Sequence, residues 1–129
     1  MDFLATDPRT LYDQLSDLTC LDYLNYPQAT DRYGVTYTLL SVPHNRRLWV
    51  KCFANDPDPQ VASVTGIWKG ADWLEREVYD LFGVAFAGHP DLRRIMTWDG
   101  FEAHPLRKDY PLRGRGEREN YQVLTRESA

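Results

Sequence analysis

Cysteine is scarce in this sequence of 129 residues: Cys20 and Cys52 stand far apart, with no CxxC pair. That excludes a disulfide framework, a zinc ribbon and an iron–sulfur binding run, so the chain is not expected to carry electrons itself. Long apolar runs are missing too. The longest, such as Tyr33 to Val42, have strand length and fall far short of the ~20 residues that cross a bilayer. The first residues, with Asp2 and Asp7 and no basic stretch, do not resemble a signal peptide, and a cytosolic location is expected. No serine sits in a nucleophile elbow, no glycine-rich phosphate loop occurs, and no cysteine lies close to a histidine. No recognisable catalytic kit is encoded.

What is present is enough for one core, with 43% apolar and 13% aromatic residues. The net charge is only −4, but it is sorted along the chain. Acids dominate the first part (Asp2, Asp7, Asp13, Asp17, Asp22, Asp31), whereas Arg107, Lys108, Arg113, Arg115 and Arg118 outnumber Asp109 and Glu117 near the end. The molecule should be electrically lopsided. A basic end of this size, mixed with acids, is a weak nucleic-acid signal and fits an acidic partner surface as well.

Thr6-Asp7-Pro8 predicts a helix start, with Leu11, Leu15 and Leu18 following at helical spacing. Thr19 to Tyr26 alternates as a strand does before Pro27. The clearest sheet signal is Tyr33, Val35, Tyr37 and Leu39, followed after "SVPHNR" by Leu48, Val50 and Cys52, which predicts an antiparallel hairpin with one buried face. Residues 54–60, "ANDPDPQ", predict a loop. A helix over 72–82 follows from Leu74, Val78, Leu81 and Phe82, an acidic capping box from Asp72 to Glu75, and Gly83 as a left-handed stop. Its other face carries Glu75, Arg76, Glu77 and Asp80. Glu75 and Glu77 diverge on a helix and cannot easily share a proton or a metal, so a solvated or partner-facing charged stripe is expected.

Beyond Gly83 regularity fades, and Pro90, Pro105 and Pro111 predict an extended arm. Within it, "GHPDLRRIMTWDGFEAHPLRKDYP" repeats one idea: His89-Pro90 and His104-Pro105 each lead into leucine and a basic pair. The histidines are too far apart on an irregular segment for the close pairing typical of metal sites. Each is expected to fix a turn through its ring nitrogens, beside a proline that stiffens the backbone. Arg93-Arg94 and Arg107-Lys108, as neighbours on an extended chain, point to opposite sides and are placed to bridge two surfaces.

The wording of residues 63–111, with "EREVYDLFG", "GHPDLRRI" and "HPLRKDYP" in order, closely resembles the signature region of the 30-kilodalton subunit family of respiratory complex I, which includes the bacterial NADH-quinone oxidoreductase. Together with "LSDLTCLDYLNYP" and the hairpin "YGVTYTLLSVPHNRRLWVKCF", the likeness covers about residues 10–112. The resemblance implies an α+β fold, a small antiparallel sheet with packed helices as in a truncated ferredoxin-like domain, over residues 1–83. An extended partner-binding arm over 84–112 and a flexible tail over 113–129 would follow. It implies a peripheral-arm subunit with no catalytic residue, cofactor or metal of its own, in an assembly that uses FMN, iron–sulfur clusters, NADH and quinone. The implied partners are the 49-kilodalton quinone-site subunit, its small cluster-bearing neighbour and other peripheral-arm subunits. The membrane would be reached only through the complex, on its cytoplasmic side, and no nucleic acid is implied. By position, Glu75, Arg76, Glu77, Asp80, His89, Asp91, Arg93, Arg94, His104, Arg107, Lys108 and Asp109 would lie at or support the partner interface. Desolvated arginines at such a contact cost ~2 to 5 kcal/mol when truncated, whereas exposed tail charges matter little.

The chain departs from the family in Ala103, where glycine is usual before the second His-Pro, and in stopping soon after it. A further strand and helix that usually open the family are absent, which predicts an exposed sheet edge covered by another subunit. The alternatives are the equivalent subunit of a membrane-bound hydrogenase or of a ferredoxin- or F420-driven complex and, more remotely, a small metal-dependent hydrolase or a nucleic-acid-binding module. The last two are tested together: the purified chain should contain no stoichiometric metal by elemental analysis and show no retention on heparin. Either signal would revive the corresponding reading.

Overall fold

The alternation of large apolar residues builds the sheet. A computed structural model of the chain describes residues 1–116. Three strands, β1 (Gln14–Asp22), β2 (Tyr33–Ser41) and β3 (Arg46–Ala54), form an antiparallel sheet in that order. Tyr37 of the central strand faces Leu18 on one side and Val50 on the other. Tyr33, Val35, Tyr37 and Leu39 are almost wholly buried, so each contributes roughly 1.5 to 3 kcal/mol of apolar burial. The hairpin has the predicted strands and the predicted buried face.

The helix α2 (Ala71–Phe82) follows a short strand β4 (Gln60–Ala62) and leads into β5 (Ala85–Ala87), which pairs with β4 in parallel. A helix is the natural link between parallel strands. Ala71, Val78 and Phe82 face the core. α2 approaches the sheet along β1, and Trp68, just before it, donates its indole N–H to the Tyr12 carbonyl (3.1 Å). The architecture is α+β, as the sequence pattern and the resemblance imply.

Four local expectations change. The helix expected from Thr6-Asp7-Pro8 is instead a single turn, α1 (Asp2–Thr6), ahead of that motif. Asp7 turns its carboxylate onto Arg9, Leu11 takes a positive φ of 38°, and Leu15 and Leu18 enter β1. Cross-strand contact with Leu39 and Tyr37 outweighs a weak helical spacing. The strand expected to reach Tyr26 ends at Asp22, and residues 23–26 form a turn closed by the Tyr26 N–H on the Tyr23 carbonyl (2.8 Å). The capping box is not made: α2 starts from Gly70 without a side-chain cap, and Glu75 turns inward. Finally, regularity returns after Gly83, because β5 finds β4.

Gly83 ends α2 in the left-handed region at φ 75°, as predicted, with its N–H on the Tyr79 carbonyl (2.9 Å). A Cβ there would overlap the His104 imidazole and the Arg107 guanidinium. Gly83→Ala should therefore cost about 2 kcal/mol or more, combining left-handed strain with a displaced neighbour. Gly70→Ala, with a φ of −64° and open space around it, should shift the urea midpoint hardly at all. Equal effects of the two substitutions would refute this account of Gly83.

Candidate functional site

The chemistry-bearing residues gather where residues 89–109 lie back on α2. Asp80 sits on the inner face of the helix, fully buried, and its carboxylate organises this segment. Oδ2 accepts the backbone N–H groups of Ile95 (3.0 Å), Met96 (2.6 Å) and Thr97 (2.8 Å). Oδ1 accepts Arg94 Nη1 (2.8 Å) and the Thr97 hydroxyl. Burial alone would raise this carboxyl's pKa, yet the bonds from Thr97, Met96 and Ile95 outweigh it and hold the group far below the usual carboxylate range.

The last carbonyls of a helix have no partner within it. Here the second His-Pro element supplies them. His104 Nδ1–H donates to the Asp80 carbonyl (2.8 Å), the Leu106 N–H to Leu81 (3.0 Å) and Arg107 Nε to Phe82 (2.6 Å). Burial first, then the nearby cations Arg107 and Arg94, lower the His104 pKa, so its ring is neutral at pH 7. The first His-Pro element serves the other end of the same helix. His89 Nδ1 accepts the Asp91 N–H (3.0 Å), which leaves Nε2–H to donate to the carbonyl of Asp72 in the first turn (3.1 Å). The two histidines are thus opposite tautomers, and each fixes the chain against α2.

Other charges are turned inward as well. Arg76 donates to the carbonyls of Arg93 (3.2 Å) and Arg94 (3.4 Å), with its guanidinium over the Trp73 ring. Arg94 also reaches the Ala103 carbonyl (3.1 Å) and lies over Phe101. Glu75, fully buried, accepts the Val64 N–H through Oε1 (2.7 Å), and its Oε2 has no hydrogen-bond partner among the described residues. Burial raises its pKa, against the pull of that bond.

The charged stripe expected on α2 is therefore mostly buried: of its members only Glu77 is exposed. Arg76 and Asp80, one turn apart on the helix, each find partners in residues 93–97. The structure brings together Arg76, Asp80, Arg94, His104 and Arg107, and places Glu75 and His89 nearer the start of the helix. Asp91 and Arg93 pair with one another in the open (2.8 Å), a contact of little energetic weight. The Lys108 side chain is exposed while its N–H binds Asp22 (2.8 Å). An arm that would gain its order from a partner has, up to Asp109, anchors on its own domain. Residues 117–129 of the expected tail lie outside the described residues.

Two features have little or no signature in the sequence. Arg32, only 15% exposed, holds Asp22, Asp56 and Asp109 together, tying the end of β1, the loop after β3 and the end of the arm to one guanidinium. The sorted charge along the chain gives no signal for it, because the cation comes from the acidic part and the end contributes an acid, Asp109. The second is an apolar rim: Trp73, Met96, Trp98 and Leu106 are all about half exposed or more, and Trp98 packs on Phe101 (4.8 Å). The motif "RRIMTW" contains two of these residues, but its adjacent arginines are the stronger signal. Among the described residues, no three of His, Cys, Asp and Glu come together as a metal would require.

Residues 1–116 match the family model described as the 30-kilodalton subunit of respiratory-chain NADH dehydrogenase. The chain belongs to that family. It is 54% identical over 112 residues to the mitochondrial NADH dehydrogenase [ubiquinone] iron-sulfur protein 3 of Candida albicans, covering 87% of this chain and 39% of that protein. It is 50% identical to a subunit of the NADH-quinone oxidoreductase of Rhizobium etli, covering 87% and 58%. A solved trypsin-resistant fragment of Nqo5 superposes with a TM-score of 0.59 at 44% identity, over 63% of this chain and 66% of that one. The chain thus spans roughly half the length of the curated relatives it matches.

Replacing the Asp80 carboxylate by an amide leaves the half-buried Arg94 without its counter-charge and turns a donor toward groups that need an acceptor. Asp80→Asn should cost about 3 to 5 kcal/mol, as loss of one partner of a buried pair does. Because the folded pKa lies far below the unfolded value near ~3.9, the stability that Asp80 contributes is fully present above about pH 5 and is lost progressively as pH falls from there toward the folded value. Unfolding free energies measured from pH 6 to 2 should fall less steeply in the variant than in the parent. Parallel curves would show that Asp80 does not carry this dependence.

Proposed function

We propose that this chain is a non-catalytic peripheral-arm subunit of proton-translocating NADH:quinone oxidoreductase. It docks beside the quinone-site subunit, near the small cluster-bearing one, on the cytoplasmic side of the cell membrane. Flavin, iron–sulfur clusters, NADH and quinone belong to the other subunits, and this chain contributes a shaped surface. The observation that carries the reading is the division of labour at residues 93–98. Asp80 immobilises the backbone, and the same residues project Arg93, Met96 and Trp98 outward. A rigid backbone with exposed Trp, Met and Arg has the composition of an interface centre, where few residues dominate affinity.

Family membership supports the assembly. Both curated relatives named above carry NADH in their names, which favours an NADH-driven complex over the hydrogenase and F420-linked alternatives. The absence among the described residues of a helix long and apolar enough to cross a membrane is compatible with attachment through other subunits. The proposed interface narrows from the motif residues as a group to the outward ones, Glu77, Asp91, Arg93, Lys108 and Asp109, joined by Trp73, Met96 and Trp98. Glu75, Arg76, Asp80, His89, Arg94, His104 and Arg107 support it from within.

An affinity tag on this chain should recover flavin- and cluster-bearing subunits in stoichiometric amounts from gently solubilised membranes. Arg93→Glu combined with Trp98→Ser should reduce the recovered complex at least tenfold, with cofactor content per assembled particle and the unfolding midpoint of the isolated chain unchanged. Arg107→Glu should also reduce assembly, but with a lowered midpoint, since Arg107 caps α2. A chain that arrives alone, or full assembly with Arg93 and Trp98 replaced, would overturn the proposal.

A further inference from the structure

The two outer strands of the sheet are finished differently. β1 is interrupted by a register shift between Leu15 and Asp17, and Asp17 folds its carboxylate onto the Leu18 N–H (2.9 Å). Bulges and charges of this kind discourage further pairing. β3 has neither proline nor bulge: its nine residues from Arg46 to Ala54 pair with β2 in unbroken register. Among the described residues, no backbone hydrogen bond reaches β3 except from β2. β4 comes near β3 without a backbone bond to it, and a regular edge of this length with unpaired backbone groups is a template for another strand.

Both faces of β3 are also incompletely covered. On the core side Leu48, Val50 and Cys52 are only half-buried, although their β2 partners Leu39, Tyr37 and Val35 are fully buried. α2 approaches β1 instead. On the outer side Trp49 is 71% and Phe53 53% exposed. Arg47 and Lys51 stand on the same side, Arg46 opens the strand, and the stretch from Val42 to Ala54 contains no acid. Lys51 donates to the neutral Tyr23 hydroxyl (3.3 Å), and among the described residues no carboxylate pairs with any of the three cations. Cations alone would serve to guard an edge. Exposed aromatics on one side and uncovered aliphatics on the other would defeat that purpose.

We propose that β3 is a docking edge for an acidic extended segment of a neighbouring chain, which adds as a fourth strand. Strand alternation sets the segment's chemistry. Apolar residues at every second position would cover Leu48, Val50 and Cys52. The positions between would carry acids opposite Arg47 and Lys51, four residues apart, with a small residue opposite Trp49. This is strand addition, in which main-chain bonds supply affinity and alternate side chains supply specificity. A second copy of this chain is a poor occupant, because β3 against β3 sets like charges together and β1 presents an interrupted strand. The inference goes beyond the reading of the chain as a complex I component, and it concerns none of the residues bonded to Asp80.

The test uses the full chain and a capped peptide, Ser-Val-Glu-Val-Thr-Val-Glu-Val-Ser, with a lysine-for-glutamate version as control. Hydrogen exchange should find alternate amides of residues 46–54 unprotected in the free chain and protected when the acidic peptide is added. The basic peptide should leave them exposed. In the double variant Arg47→Glu, Lys51→Glu the preference should invert, with at least a tenfold loss of affinity for the acidic peptide and an unchanged unfolding midpoint. Four outcomes would overturn the proposal. These are amides already protected in the free chain, protection that grows with protein concentration alone, protection on β1 instead, and binding that ignores peptide charge.

Discussion

Asp80 gathers more of this molecule than any other side chain. One buried carboxylate bonds three consecutive backbone N–H groups, a hydroxyl and a guanidinium, and converts a proline-bounded segment without regular secondary structure into part of the domain. Such a charge is tolerable inside a protein only when its hydrogen-bonding capacity is filled. Its neighbours extend the same logic along the helix: the Asp80, Leu81 and Phe82 carbonyls are met by His104, Leu106 and Arg107, and Gly83 leaves room for the imidazole and the guanidinium. Order in the arm begins within the chain.

A second anchor works at the opposite side of the fold. Arg32 draws carboxylates from β1, from the loop after β3 and from the end of the arm, and its guanidinium lies with that of Arg107 near the Tyr33 ring. A planar donor fork is suited to several carboxylates at once. Residues 89–109 are therefore held at α2 and again at the sheet, and the exposed apolar residues between these points are carried on a doubly fixed backbone.

The hairpin and α2 were legible because their side-chain periods are long and unambiguous. Tyr33, Val35, Tyr37 and Leu39 admit one face only, and Gly83 closes a clear helical run. The charged face of α2 was misread for a physical reason: a helix that shows acids and arginines away from its apolar stripe looks the same whether water or its own chain covers them. Only the tertiary arrangement distinguishes the two. β4 and β5 escaped because three residues hold no period, and their pairing depends on α2 returning the chain. Arg32 was invisible because its partners are distant in sequence. The motifs named Arg76, Asp80, Arg94, His104 and Arg107, which the structure brings together at α2, without the direction in which each faces.

The opposite tautomers of His89 and His104 make the two His-Pro elements unequal. His89 uses both ring nitrogens, Nδ1 as the acceptor that closes its turn and Nε2 as the donor to α2, so that element depends on one tautomer. An added proton on His104 goes to Nε2 and leaves the bond from Nδ1 to the Asp80 carbonyl in place, although it brings a third positive charge beside Arg94 and Arg107. The first elbow is thus sensitive to geometry and the second to charge. Two stretches with nearly the same wording are two devices that would fail by different routes.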